Sequence, residues 1–251
     1  MKTGFCVVIP VYNHPDTIAD TVAEVRSAGF PVILVDDGSE PVCAGVLDRL
    51  TEGDEAVHLR RLQVNGGKGR AVKSGLLMAR ELGFAHALQI DADGQHDPQD
   101  IPRLVRLSRQ HPDAIISGMP AYDDSVPRVR YYSRYLTHVW VWINTLSLEV
   151  RDSMCGFRAY PLQPVCELIG REYLGDRMDF DTEVLVRWVW QGGRVFQFST
   201  RVRYPRDGIS HFRGFEDNWL ITRMHTRLFF GMLRRLPRLL ARRLRRREVS
   251  S

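Results

Sequence analysis

The 251-residue chain has few of the features that mark secreted, fibrous or membrane-spanning proteins. Its four cysteines are scattered without C-x-x-C spacing, so neither a zinc site nor a disulfide framework is expected, and reduced thiols are the simpler interpretation. Apolar runs such as residues 228–233 are far shorter than the ~20 residues needed to span a bilayer. No charged n-region or cleavage signature precedes the strand-like run at residues 5–10. We therefore expect a cytoplasmic globular protein.

Positive charge is concentrated at the C-terminal end. Residues 201–251 contain 14 Arg and four acidic residues, a net charge of +10, whereas the first 200 residues carry −5. Leu and Arg interleave at roughly helical spacing through residues 234–247, which predicts a basic amphipathic helix able to lie in an anionic membrane surface. A solvated, partly disordered basic end is the alternative. We predict a membrane-directed helical tail over residues 214–251 and no nucleic-acid partner.

Strand and helix patterns alternate through the first half of the chain. Strands are predicted at residues 5–10, 32–35, 57–63, 85–90 and 114–117, with helices between them. The second half is less regular, with helices predicted at residues 130–148 and 182–191 and strands at residues 156–160, 195–198 and 201–204. The alternation predicts an α/β fold in which a mostly parallel sheet is flanked by helices, forming one domain over residues 1–213.

Ligands of such sheets collect at the carboxyl ends of the strands. Four polar clusters follow predicted strands, at residues 11–13, 36–39, 65–69 and 91–95. Their convergence on one edge of the sheet would be stronger evidence for a site than any one of them alone.

Asp91 and Asp93 are the candidate metal ligands. Residues two apart in an extended chain face the same side, so both carboxylates can reach one cation, and Gln95 continues that face. Hard oxygen donors favour Mg²⁺ or Mn²⁺, and two carboxylates leave coordination positions open for substrate phosphates. A solvated turn is the alternative, which the neighbouring polar clusters disfavour.

Asp36 and Lys68 are the candidate nucleotide contacts. Asp36 ends an apolar strand, where its carboxylate could accept N–H bonds from a nucleobase; the alternative is a helix N-cap, made by Asp37 or Ser39. The glycine turn at residues 65–69 lacks the order of a phosphate loop, and no G-x-G-x-x-G follows the first strand, which argues against P-loop NTPases and NAD enzymes. We expect this turn to deliver Lys68 towards an anion.

These motifs, in this order, resemble glycosyltransferase family 2, and the similarity is greatest to its dolichol-phosphate mannose synthase-like branch. The matching segments are residues 8–13 (Val-Ile-Pro-Val-Tyr-Asn), 35–39 (Val-Asp-Asp-Gly-Ser), 65–69 (Asn-x-Gly-Lys-Gly) and 91–96 (Asp-Ala-Asp-Gly-Gln-His), extended by residues 155–158, 180–183 and 206–210. The resemblance covers residues 4–213. It implies a GT-A fold and inverting transfer from a nucleoside-diphosphate sugar.

The resemblance also implies roles for the residues that hold the donor. Pro10, Tyr12 and Asp36 would hold the nucleobase. Arg206 and Ser210 would close over the diphosphate, which makes Arg206 a catalytic candidate. The alternative is that their Gly-containing segment is an ordinary surface loop. An aspartate such as Asp36 can accept from uracil or from guanine, so the sequence does not choose between UDP and GDP donors.

The resemblance implies the same metal ligands as the residue pattern. Asp91 would lie near both the ribose and the metal, and Asp93 and Gln95 would ligate the Mg²⁺ or Mn²⁺. A divalent ion spanning the diphosphate neutralises the leaving group, while an acceptor oxygen attacks the anomeric carbon from the opposite face.

The acceptor decides whether a general base is needed. By resemblance, Arg130 and Ser133 would approach an acceptor phosphate, which is already ionised near neutral pH. A hydroxyl acceptor instead needs a carboxylate within reach, and Asp181 is the candidate, although an acid at a helix start also serves as a simple dipole partner. Met119 stands where relatives often carry an Arg that would help to bind an acceptor phosphate.

The sequence thus predicts an inverting, metal-dependent glycosyltransferase, peripheral on the cytosolic face of the membrane. Its first-choice acceptor is a polyprenyl phosphate, and a hydroxyl group on a lipid or glycan is the second. A nucleotidyltransferase is the alternative from another enzyme class. A phosphoacceptor or nucleotide-sensing module that uses Asp36 and Asp37 is the non-enzymatic alternative.

Overall fold

The computed structural model describes residues 4–121, 128–201 and 214–248. Within these ranges the chain forms seven strands: β1 Phe5–Val11, β2 Val32–Asp36, β3 Val57–Arg61, β4 His86–Gln89, β5 Ile115–Ala121, β6 Arg158–Pro161 and β7 Val195–Arg201. The same ranges contain eight α-helices: α1 Ile18–Ser27, α2 Pro41–Glu52, α3 Lys68–Glu81, α4 Ile101–Gln110, α5 Arg128–Thr145, α6 Leu162–Arg171, α7 Phe180–Trp190 and α8 Gly214–Glu248. A short 3-10 turn, Pro98–Asp100, leads into α4.

All seven strands belong to one sheet, in the order β3-β2-β1-β4-β6-β5-β7. Strands β1 to β4 are parallel to one another, and β5 is parallel to β7, whereas β6 runs antiparallel to both β4 and β5. The predicted α/β fold with a mostly parallel sheet is therefore confirmed. Because β1 to β4 share one direction, the four loops that follow them lie along the same edge.

Helices cover both faces of the sheet, and the alternation of side chains along each strand supplies both layers. Strand β1 gives Cys6 and Val8 to the layer under α3, α6, α7 and α8, and it gives Val7 and Ile9 to the layer under α1, α2 and α4. Helix α3 lies so close to the sheet at Gly75 that a Cβ there would fall 2.3 Å from Val8 Cγ1. The four cysteines are buried and free, as expected.

The structure differs from the predictions in three local details. Strand β4 ends at Gln89 and the chain turns at Asp93, so the acidic cluster does not continue the strand. Two strands were predicted, at residues 195–198 and 201–204. The structure has one continuous strand, β7, that runs to Arg201, and residues 202–204 lie outside the described residues. Helix α6 was not predicted, because it is short and carries Pro164 near its start, although Leu162, Val165 and Cys166 form a buried face.

Residues of the predicted tail form helix α8, which packs against α5 and α7. Its inner side buries Met224, Leu228, Met232 and Leu239 in the core. The predicted domain boundary at residue 213 falls at the edge of a range outside the described residues. Within the described residues, no helix combines the length and apolarity needed to cross a lipid bilayer.

Buried ion pairs join α7 to α8. The Glu183 carboxylate is fully buried and lies 2.8 Å from Arg187 Nη2 and 2.7 Å from Arg227 Nη2 of α8. It also accepts a hydrogen bond from the Gly175 amide at 3.0 Å. Outside α7, Glu172 continues the network to Arg235 of α8 at 3.2 Å. These pairs fix the register of α8 on the domain.

We expect Glu183→Ala to lower the free energy of unfolding by about 3–5 kcal/mol, since it removes the buried partner of two guanidinium groups. The matched control is Glu167→Ala, which removes an exposed partner of Arg171 on α6 and should cost less than about 1 kcal/mol. Urea unfolding of both variants measures the difference, and equal losses would contradict the structural role of the buried network.

Candidate active site

The loops after β1, β2 and β3 are joined by hydrogen bonds at one edge of the sheet. The Asn13 amide donates to Ser39 Oγ at 3.1 Å, and Asn13 Oδ1 accepts from the Glu40 amide at 2.8 Å. The Asp37 carboxylate accepts from the Gly66 and Gly67 amides at 2.9 and 2.7 Å. The expected convergence of the polar clusters is therefore confirmed for these three loops. Burial raises the pKa of Asp37, although the two amides and Arg70 oppose the shift.

Asp36 is held at the end of β2 rather than left open. Its side chain is 1% exposed and accepts from Arg61 Nε at 2.8 Å and from the Ser39 amide at 2.8 Å. Neither Asp37 nor Ser39 caps α2, which begins after Glu40 without a side-chain cap, so the N-cap alternative was wrong. Each carboxylate oxygen can accept a second hydrogen bond, and the assignment of Asp36 to the nucleobase stays a prediction.

Lys68 connects the third and fourth loops to α7. Its ammonium lies 2.8 Å from Asp91 Oδ2 and 3.1 Å from Asp181 Oδ2. Lys68 is the first residue of α3, and its position follows from Gly67, whose φ of 96° only glycine adopts readily and whose Cβ would meet Arg177 and Asp176. The sequence predicted that Lys68 faces an anion, and in this structure that anion is a pair of carboxylates.

The charges of this cluster support one another. Burial by itself would lower the pKa of Lys68, but Asp181 and Asp91 outweigh burial and the pKa lies above its ordinary value. Burial likewise would raise the pKa of Asp91, but Lys68 and His96 hold it well below its ordinary value. Lys68 and Asp91 are therefore an ion pair at neutral pH.

Asp93 lies in the turn after β4, next to Asp91. Its Oδ1 accepts from the Gln95 amide at 3.0 Å, and both burial and the Asp91 charge raise its pKa. Asp91 Oδ1 is buried and has no hydrogen-bond partner among the described residues. A divalent cation would relieve the repulsion between these carboxylates and would satisfy that oxygen, so the residues present fit the implied metal.

The described side chains would supply only part of the coordination shell of such a cation. Among the residues that the structure describes, no group of three or more His, Cys, Asp or Glu side chains is arranged to hold a metal ion. A cation at Asp91 and Asp93 would therefore need further oxygens, such as the Gln95 amide or substrate phosphates.

Gly156, in the loop before the antiparallel strand β6, and Arg158, the first residue of that strand, complete the cluster. A Cβ on Gly156 would fall 2.6 Å from Asp91 Oδ2 and 2.7 Å from Lys68 Nζ, so a larger residue would separate this ion pair. Arg158 is fully buried; its Nη1 donates to the Asp181 carbonyl at 2.6 Å and its Nη2 to the Ser153 carbonyl at 2.8 Å. Sequence reasoning did not select these two residues for the site, although an Arg within an apolar strand was a usable signal.

Several predicted site residues cannot be compared with this geometry. Arg206 and Ser210 lie outside the described residues. Arg130 and Ser133 lie in α5, and their side chains are outside the described part of the structure. Their assignments stay predictions.

Pro10 and Tyr12 lie at the end of β1 and just beyond it, and both are half-buried beside the end of β2, where Asp36 lies. The structure thus places the predicted nucleobase residues at one end of the edge. It brings Lys68, Asp91 and Asp181 together at another point of the same edge.

Comparison with known proteins identifies relatives of this chain. The Glycosyl transferase family 2 model matches residues 6–176. A dolichyl-phosphate beta-glucosyltransferase of Drosophila melanogaster is 31% identical over 202 residues, covering 71% of this chain and 60% of that protein. An undecaprenyl-phosphate 4-deoxy-4-formamido-L-arabinose transferase of Pseudomonas paraeruginosa is 37% identical over 162 residues, covering 61% of this chain and 46% of that protein. The chain thus spans about half the length of these two relatives.

The fold also matches solved structures. The glucosyl-3-phosphoglycerate synthase from Mycobacterium tuberculosis, in complex with Mn²⁺, UDP-glucose and phosphoglyceric acid, has a TM-score of 0.68 and 17% identity, covering 92% of this chain and 80% of that chain. This likeness shows the GT-A fold, and the sequence match extends through the loops that carry Asp36, Lys68 and Asp91. The chain therefore belongs to glycosyltransferase family 2 and is a glycosyltransferase.

Proposed function

We propose that this glycosyltransferase transfers a sugar, with inversion, from a nucleoside-diphosphate sugar to a polyprenyl phosphate at the cytosolic face of a membrane. The observation that carries the choice of acceptor is the environment of Asp181. Dolichyl phosphate and undecaprenyl phosphate appear in the names of the two relatives, which supports the same class of acceptor here. Membership of the family removes the nucleotidyltransferase alternative.

The donor would bind along the edge formed by the four loops. Pro10, Tyr12 and Asp36 would hold the nucleobase, and Arg206 with Ser210 would close over the diphosphate. This arrangement is supported by the hydrogen bonds that fix the first three loops relative to one another. These bonds hold the loops in fixed relative positions, which would lower the cost of ordering them around the donor.

Asp91, Asp93 and Gln95 would hold Mg²⁺ or Mn²⁺. When bound, the metal supplies positive charge that neutralises the diphosphate leaving group. The unpartnered Asp91 Oδ1 and the raised pKa of Asp93 support this assignment. The solved neighbour that contains Mn²⁺ and UDP-glucose supports a divalent metal for this fold.

Asp181 is poorly placed to act as a general base. Its Oδ2 pairs with Lys68 at 3.1 Å, and its Oδ1 accepts from Gln89 Nε2 at 3.4 Å and lies 3.7 Å from Arg158 Nη1. The carboxylate is thus engaged by two cations and an amide, and its side chain is 6% exposed. A hydroxyl acceptor needs a base that is free to take a proton. A phosphate acceptor is already ionised, and it needs only to be positioned, for which Arg130 and Ser133 are our candidates.

The outer side of α8 supports attachment to a membrane. Trp219, Phe230, Leu233 and Leu240 are 63%, 59%, 44% and 44% exposed, and they lie opposite the residues that α8 buries in the core. Exposed Arg residues accompany them: Arg223, Arg234, Arg238 and Arg243. Apolar side chains interleaved with Arg fit the headgroup region of an anionic bilayer. Helix α5, which packs on α8, adds Tyr135 and Leu136 at 51% and 60% exposure.

Asp93→Asn should reduce sugar transfer to polyprenyl phosphate by at least about 100-fold, because the metal would lose a charged ligand while the turn keeps its hydrogen bond to Gln95. Transfer is measured with radiolabelled UDP- and GDP-sugars in the presence of Mn²⁺. The matched control is Asp97→Asn, since Asp97 caps the neighbouring 3-10 turn and should tolerate the change. Full transfer by the Asp93 variant would refute the metal assignment.

Asp181→Asn separates the two acceptor classes. With a phosphate acceptor, we expect kcat to fall less than about tenfold, since the amide oxygen can still accept hydrogen bonds and no base is lost. If Asp181 were the base for a hydroxyl acceptor, kcat would fall by about 10²–10⁴-fold. The second result would overturn the proposed acceptor.

Trp219→Ser combined with Phe230→Ser and Leu240→Ser should weaken co-sedimentation with anionic phospholipid vesicles by at least about tenfold, because each buried apolar side chain contributes about 1.5–3 kcal/mol. A control variant, Val42→Ser with Leu148→Ser, removes apolar residues that are 73% and 71% exposed elsewhere and should bind normally. Equal binding by both variants and the unaltered protein would remove the membrane assignment. Deleting residues 234–251 is a poorer test, because it also removes the buried Leu239.

A further inference from the structure

We propose that Lys68 is an internal cation that competes with the divalent metal for Asp91, so that the free enzyme binds metal weakly and the donor diphosphate is required for tight metal binding. The inference rests on the proposed metal site at Asp91 and Asp93. It assigns to Lys68 a positioning role that links binding of the donor to binding of the metal.

The contact between the Lys68 ammonium and the two carboxylates is largely shielded from solvent. The side chains of Lys68, Asp91 and Asp181 are 18%, 21% and 6% exposed, and the ammonium lies within 3.1 Å of an oxygen of each carboxylate. In such surroundings charges are screened much less than at an open surface. A second cation at Asp91 would therefore be strongly repelled while the ammonium stays in place.

The surrounding backbone is built to admit this ammonium. Gly156 has no side chain, and a Cβ there would lie 2.7 Å from Lys68 Nζ and 2.8 Å from Asp91 Oδ1. Gly67 and Gly69 allow the start of α3 to approach the start of α7 and the segment before it, since a Cβ on Gly69 would fall 2.5 Å from Phe180 Cβ. The ion pair is thus held by close backbone packing rather than by a mobile surface side chain.

The charge balance predicts the consequence. Asp91, Asp93, Asp181 and Lys68 together carry −2 when all are ionised, and removing the ammonium leaves −3. A divalent cation would then meet one more negative charge and one less repulsive neighbour. A donor diphosphate has a comparable effect in the unaltered protein, because it offers Lys68 another anion and offers the metal additional oxygens. Metal and donor would each increase the affinity of the other, as thermodynamic linkage requires.

Lys68→Met in the full chain tests the inference with Mn²⁺ alone, in the absence of nucleotide. We expect the variant to bind Mn²⁺ at least about tenfold more tightly than the unaltered protein, by isothermal titration and by the electron paramagnetic resonance signal of free Mn²⁺. Lys68→Arg should restore weak binding, because it restores the charge. Lys73→Met is the matched control: Lys73 lies on the same helix, pairs with Asp176 at 2.6 Å, and should leave the Mn²⁺ affinity unchanged.

Lys68→Gln provides a second variant if Lys68→Met does not fold, since Gln can still donate a hydrogen bond to Asp91 without carrying charge. Mn²⁺ binding no tighter than that of the unaltered protein in the folded variant, together with loss of binding in Asp93→Asn, would overturn the role of Lys68 and leave the metal site intact. Mn²⁺ binding that is unaffected by Asp93→Asn would instead refute the metal site itself, and the inference would fall with it.

Discussion

The site is organised around one ammonium group, which Lys68 places between the carboxylates of Asp91 and Asp181. The three residues come from the start of α3, the loop after β4 and the start of α7. Helix α3 begins where it does because Gly67 adopts a positive φ, and the loop before β6 makes room because residue 156 has no side chain. A single cluster of ion pairs therefore positions the Asp91 carboxylate, which is proposed for the metal, relative to the Asp181 carboxylate.

Helix α7 connects this site to the basic C-terminal helix. Asp181 and Glu183 are two residues apart, and while Asp181 meets Lys68, Glu183 meets Arg187 and, on α8, Arg227. Because Arg227 and Arg235 pair with Glu183 and Glu172, part of the positive charge that the sequence concentrates in this segment neutralises the domain instead of facing outwards. The net charge of residues 201–251 is therefore larger than the positive charge that the segment exposes. The sequence pattern also did not distinguish the exposed aromatic and leucine side chains of α8 from those that it buries.

The sequence was informative wherever structure follows from local pattern. Strands β1 to β4 and the polar loops after them were predictable, because each strand and its loop can be recognised within one short segment, as an apolar run followed by polar and glycine residues. A strand at β6 was predicted, at residues 156–160, but its antiparallel direction was not, because that direction depends on pairing with β4 and β5, which are distant in sequence. The same non-local pairing explains why Gly156 and Arg158 were not selected. It also explains why Lys68 was expected to face a ligand anion, when the chain itself supplies the carboxylates.

The ion pair also bears on the choice of acceptor. The Asp181 carboxylate is one of the two anionic partners of the buried Lys68 ammonium, and Asp91 is the other. If Asp181 served as a general base, Lys68 would lose one of these two partners at every turnover. An acceptor that arrives already ionised needs no such proton transfer. Under the proposed function, the arrangement that organises the free enzyme is therefore the same one that favours a phosphate over a hydroxyl acceptor.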